Sequence, residues 1–109
     1  MNGFLALGVA GRCARLLEAE DLVSDIAQAR LRLLTAAGEQ VPTARAEASL
    51  LASRAAARLM VQTGSRSVLA DEHAGRLYRE SGFLLVFGLR PAIKTAMLQR
   101  LADPVGEPA

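Results

Sequence analysis

The residues able to do chemistry in this chain are few and scattered. Cys13 is the single cysteine and His73 the single histidine, with no histidine near Cys13 in sequence. A thiol without a base beside it reads as a small apolar residue on a helix rather than as a nucleophile. Glu18, Glu20, Asp21 and Asp25 form one acidic cluster. No histidine or further carboxylate stands at ligand spacing, so the cluster predicts a helix start favoured by the helix dipole, not a metal site. Arg54 and Arg58, one turn apart, could clamp an anion, but the spacing reads rather as a solvated helix face. Gly64-Ser65-Arg66-Ser67 is the one polar, flexible stretch inside the pattern, and its backbone amides could meet an anion.

The elements that must hold these residues are helices. Alanine and leucine dominate, both helix formers, while Val, Ile and Thr are sparse. With 109 residues, one domain is expected. The first helix is predicted from Gly3 to Leu17, with Phe4, Leu7, Ala10 or Gly11, and Ala14 on one stripe. The second runs from Asp21 to Ala37, with Leu22, Ile26, Ala29, Leu33 and Ala36 on its apolar face. Leu31 and Leu34 widen that face, which places the helix between neighbours or at a subunit contact. Gly38 ends it, and Glu39 to Pro42 make a turn. The third starts at Thr43 as N-cap and reaches Thr63, with a seam of Ala46, Leu50, Ser53, Ala57 and Met60 and a wet face of Glu47, Arg54, Arg58 and Gln62. A loop covers Gly64 to Ala70. The fourth runs from Asp71, its cap, to Phe87, with His73 on the surface of its first turn. Gly88 stops it, and Pro91 opens a last helix that runs to Leu101, with Ile93, Met97, Leu98 and Leu101 inward. Short connections between such segments predict an all-α, antiparallel four- to five-helix bundle over residues 1–101, with a flexible tail at 102–109.

Net charge is +2, and twelve of the thirteen basic residues are arginine. They are spread over every helix with acids between them, so no nucleic-acid face is expected. Phe4 to Ala10 is apolar but too short to span a bilayer, and the basic residues Arg12 and Arg15 follow it, the wrong order for a signal peptide. No intrachain disulfide can form with one cysteine, which fits a cytoplasmic protein.

Arg76 to Lys94, RLYRESGFLLVFGLRPAIK, reads as helix, tight turn, helix. This stretch resembles the end of the C-terminal helical domain of the acyl-CoA dehydrogenase family, where a run of the form R-L-Y-R-D-A leads through apolar residues into an E-G-T turn. Gly64-Ser65-Arg66-Ser67, twelve positions before Arg76, matches the spacing of the family's G-G-x-G-Y loop. The similarity extends over roughly Phe4 to Leu101.

The resemblance implies FAD chemistry, in which a carboxylate removes the α-proton of an acyl thioester and the flavin takes the β-hydride. It also implies where this chain departs. The expected base falls on Gly88, and the following Gly and Thr fall on Leu89 and Arg90. Glycine has no side chain to accept a proton. Family members with the base on the earlier helix would carry it at or before Met1. Glu80 is no substitute, since it can pair with Arg76 one turn away. The family's R-x-x-F-G loop to the FAD pyrophosphate would have to fit between Leu17 and Asp21, which leaves no room. The family glutamine falls on Val61, with Gln62 one residue and about 100° off around the helix. Gly64 is retained and the second glycine is Ser65. The candidate cofactor-binding residues are therefore Gln62, Gly64, Ser65 and Arg66, with no catalytic residue and no metal ligand. Counterparts of the family's N-terminal helical and middle β domains are missing.

Three expectations follow. The first is a non-catalytic helical module that assembles as a homo-oligomer, a dimer or tetramer. The second is one subunit of a split FAD-dependent dehydrogenase, completed by a flavin-bearing partner. The third is an unrelated ligand-binding helical bundle. None of the three involves nucleic acid, a membrane or a metal.

Overall fold

The structure is a computed structural model, and it describes residues 2–69 and 72–103. Its elements are helices α1 (Asn2–Leu17), α2 (Glu20–Thr35), α3 (Gln40–Thr63), α4 (His73–Val86) and α5 (Pro91–Ala102), with a 3-10 turn at Gly64–Val68 between α3 and α4. There is no strand among the described residues. The all-α bundle that the Ala-Leu pattern predicts is what forms.

Helix α3 is the central strut, packing against each of the other four helices. Its composition explains why. Ala48, Ala52, Ala55 and Ala56 are wholly buried, and side chains this small let four neighbours approach one axis. Leu7 from α1 and Leu77 from α4 are the largest apolar side chains fully enclosed. Each contributes on the order of 1.5–3 kcal/mol by leaving water.

Side-chain contacts fix the helix directions. A Cβ on Gly3 would touch Leu33 late in α2 and approach Arg45 early in α3. Asp21 at the start of α2 pairs with Arg58 late in α3, at 2.7 Å. Helix α2 therefore runs antiparallel to both α1 and α3. Helix α4 starts against Ser67, beyond the end of α3, and ends against Arg45 near its beginning, so it too opposes α3.

Several boundaries differ from the sequence reading. Helix α2 ends at Thr35 rather than Ala37, because Ala36 is already extended; Gly38, with φ of 57°, lies inside the turn. Helix α3 begins at Gln40, so Pro42 lies in its first turn and Thr43 is not the cap. A proline there gives up no helical hydrogen bond, since the first amides have no intrahelical acceptor. The segment after Gly64 is a 3-10 turn rather than an irregular loop. Asp71, expected as a cap, lies outside the described residues; Glu72 is the residue before α4 and makes no side-chain cap bond. Helix α4 ends at Val86, with Phe87 extended, and α5 continues one residue past Leu101 to Ala102. The tail expected at 102–109 has only Ala102 and Asp103 within the described residues.

Burial also corrects the faces. Phe4 is exposed, and the inner stripe of α1 is Gly3, Ala6, Leu7, Val9, Ala10, Cys13 and Ala14. Leu31 and Leu34 stay exposed at 61% and 66%, so among the described residues α2 is an edge helix packed on α1 and α3. Ala57 is exposed, because the buried face of α3 is turned toward Ala52 and Ala56. In α5 only Met97 is buried, while Leu98 and Leu101 face outward. Glu47, expected to be wet, is half-buried and joins Arg32 of α2 at 3.1 Å to Arg100 of α5 at 3.4 Å.

Candidate functional site

The most tightly organised polar cluster lies where α4 ends and the α4–α5 turn begins. Arg45 of α3 is buried, with 8% of its surface exposed. Its Nη1 donates to Ser49 Oγ, one turn along the same helix, and its Nη2 donates to the Phe87 carbonyl at 3.2 Å. Asn2 Nδ2, from the start of α1, donates to the same carbonyl at 3.1 Å. Ser49 Oγ in turn reaches the Leu84 carbonyl at 3.5 Å. The last carbonyls of a helix have no intrahelical donor. Here three side chains from two other helices supply donors, and the guanidinium charge sits at the negative end of the α4 dipole. Burial draws the Arg45 pKa below its usual value.

Gly88 follows directly, with φ of 68°. Only glycine holds that backbone without strain. A Cβ there would also meet Asn2 Nδ2 at 2.6 Å. The position that the family resemblance assigns to a proton-accepting glutamate is thus a tight-turn glycine pressed on the end of α1.

The candidate cofactor residues lie elsewhere. Gln62, Gly64, Ser65 and Arg66 are all exposed, at the far end of α3 and in the 3-10 turn. Two amides there are already used: Gly64 donates to the Met60 carbonyl, and Leu69 to the Arg66 carbonyl. Ser67, by contrast, is buried, and its hydroxyl donates to the Met60 carbonyl at 3.0 Å. Helix α4, fourteen residues and so about 21 Å long, separates this turn from Gly88. The structure does not bring the two sequence-derived sites together.

No family model, curated protein or solved structure matches this chain.

The remaining candidates resolve one by one. Arg58 is held by Asp21, so it and Arg54 do not form a free clamp. That bond is the main cause holding the Asp21 carboxyl below its ordinary pKa. Glu80 pairs with Arg76 at 3.6 Å, one turn apart as its spacing suggests. The His73 ring meets Arg76 Nη2 through Nδ1 at 3.1 Å, on the surface. No group of three or more metal-ligating side chains occurs among the described residues. No described helix is long and apolar enough to cross a membrane.

Cys13 is fully buried in the core of α1. Burial pushes its thiol up to about 11, with Glu80 adding to the rise and Arg12 opposing it. We expect a thiol reagent at neutral pH to leave native protein unlabelled. Labelling should appear with the unfolding transition in denaturant, and its rate should track unfolding. Prompt labelling of the folded chain would place Cys13 on an accessible surface instead.

Arg45 is the residue that sequence reasoning missed. A signal existed: Arg45, Ser49, Ala52 and Ala56 follow one another at helical spacing. An arginine on an otherwise small, apolar stripe marks a buried cation in need of acceptors.

Proposed function

We propose that this chain is a non-catalytic helical association module, of the kind its sequence resembles in the C-terminal domain of the acyl-CoA dehydrogenases, and that it acts by binding a second copy of itself. The observation that carries this reading is the amount of large apolar side chain left uncovered. Phe4, Leu5, Phe83, Val86 and Phe87, from α1 and the end of α4, are 41–63% exposed. Phe83 and Phe87 stack on each other in the open, with ring centroids 4.9 Å apart. Leu5 and Phe83 line one groove between α1 and α4, and apolar surface of this kind is what association covers. The polar clusters support the same reading, because Arg45, Asn2, Glu47 and Asp21 spend their hydrogen bonds holding helices to one another.

Light scattering at tens of micromolar is the deciding measurement. A mass of twice the chain or more is expected. A clean monomer across that range would remove the reading. Protein that emerged from purification yellow, with flavin absorbance, would favour instead one subunit of a split FAD-dependent enzyme.

A further inference from the structure

Helix α5 is fastened to the bundle unlike the other four helices. The enclosed core joins side chains of α1, α2, α3 and α4, and none from α5. Among the described residues α5 packs on α3 alone, although a connection of only four residues joins it to α4. Met97 is its single buried side chain; Ile93 and Ala96 are half-buried, and Leu98 and Leu101 face outward. The other fastening is ionic. Glu47 of α3 presents one carboxylate oxygen to Arg100 of α5 at 3.4 Å and the other to Arg32 of α2 at 3.1 Å. Helices α2 and α5 do not pack on each other. A cleft of about 540 Å³ lies between them, with Leu50, Leu51 and Ala57 of α3 and Arg100 and Leu101 of α5 in its lining.

We propose that α5 is a strap that lifts from α3 as one unit while the α1–α4 core stays folded, and that the α2–α5 cleft loses one wall when it does. The proposal is independent of the association reading above. Three features favour it. Lifting returns one buried side chain to water, so little apolar surface is re-exposed. Lifting also strands no buried carboxylate. Breaking an enclosed ion pair normally leaves a charge without compensation, but Glu47 keeps Arg32 when Arg100 leaves. The third feature is the hinge. Gly88 holds φ of 68° and can exchange it for another backbone conformation with no side chain to strain. Pro91 at the start of α5 keeps the first turn preset, so the helix moves whole. The end of α4 does not follow, because Asn2 and Arg45 hold the Phe87 carbonyl just before the hinge.

Native-state hydrogen exchange of the full chain, resolved by residue, tests the strap. A segment that opens by itself exchanges as a group, below the protection of the core. The amides from Thr95 to Leu101 should share one protection factor, at least a hundredfold lower than that of Ala52 and Ala56 in α3. Ile26→Val, a mild change in the core, should speed exchange at Ala52 and Ala56 severalfold and leave α5 unchanged, since it weakens the closed and lifted forms alike. Arg100→Gln should quicken α5 exchange by roughly two- to fivefold, as expected for a half-exposed ion pair. Equal protection in α5 and α3, with Ile26→Val speeding both, would show that α5 opens only with the whole chain and would overturn the strap. Protection that falls steadily from Thr95 to Leu101 would show fraying from the end and would overturn it as well. An unchanged α5 rate in Arg100→Gln would overturn the ionic fastening.

Discussion

Gly75→Ala is expected to destabilise the fold by about 3 kcal/mol, near the upper end of what overpacking costs. A Cβ at this position would collide with the Ser67 carbonyl oxygen. That neighbour is backbone, so no rotamer change relieves the contact. Either α4 moves away from the 3-10 turn or the turn itself is displaced, and the buried Ser67 hydroxyl loses its bond to Met60. The intrinsic gain from alanine in a helix, about 1 kcal/mol, only partly offsets this. The melting temperature should fall by roughly 12–24 °C, given about 4–8 °C per kcal/mol for a domain near this size. Gly82→Ala is the internal control, because nothing lies within 4 Å of its Cβ position. It should stabilise by about 0.5–1 kcal/mol. Thermal unfolding of the two variants beside the parent chain checks both signs. Equal effects would show that α4 does not approach the turn as closely as the structure places it.

The same glycine shows where the sequence stops informing. Gly75, Gly82 and Gly8 all sit inside helical patterns and look alike as letters. Only the fold distinguishes the one under a carbonyl from the two in open space. Helix number and order were legible, because Ala-Leu runs broken by Gly38, Gly64 and Gly88 leave little choice. Inward faces were less so. Leu31, Leu34, Leu98 and Leu101 carry the right spacing for a core, yet they lie outside because α2 and α5 are edge helices with one covered side each. Periodicity reports that a helix has an apolar stripe, not how many neighbours cover it.

The functional residues divide similarly. The turn glycine at Gly88 could be read from the run before it and the proline after it. Its consequence, a left-handed backbone that strains any side chain placed there, follows from φ of 68°, and the neighbour it would press is Asn2. That contact joins residues 86 positions apart, and local pattern does not carry such a pairing. The stripe from Arg76 to Phe87 was visible as a charged turn followed by an apolar run. Its exposure was not, because an apolar run at a helix end is as often core as surface.

Arg45 leads to the second large effect. Arg45→Ala should cost about 2–4 kcal/mol, since it opens a void beside α4 and removes charge-assisted hydrogen bonds worth about 1.5–3 kcal/mol. Arg45→Met separates the two contributions. Methionine keeps much of the stem packing and removes a cation that burial disfavours. If the guanidinium serves mainly as a cap on the last turn of α4, Met should recover less than half of the loss. If burial of the stem dominates, Met should approach the parent stability. The cap role is favoured by geometry, because the Phe87 carbonyl takes donors from both Arg45 and Asn2. Sharing one acceptor makes the two residues coupled, so Asn2→Ala combined with Arg45→Met should cost more than the separate losses added together. Either single variant leaves the carbonyl one donor, whereas the pair leaves none. Strict additivity in denaturant titrations would mean that Asn2 and Arg45 act on the end of α4 independently rather than through the carbonyl they share.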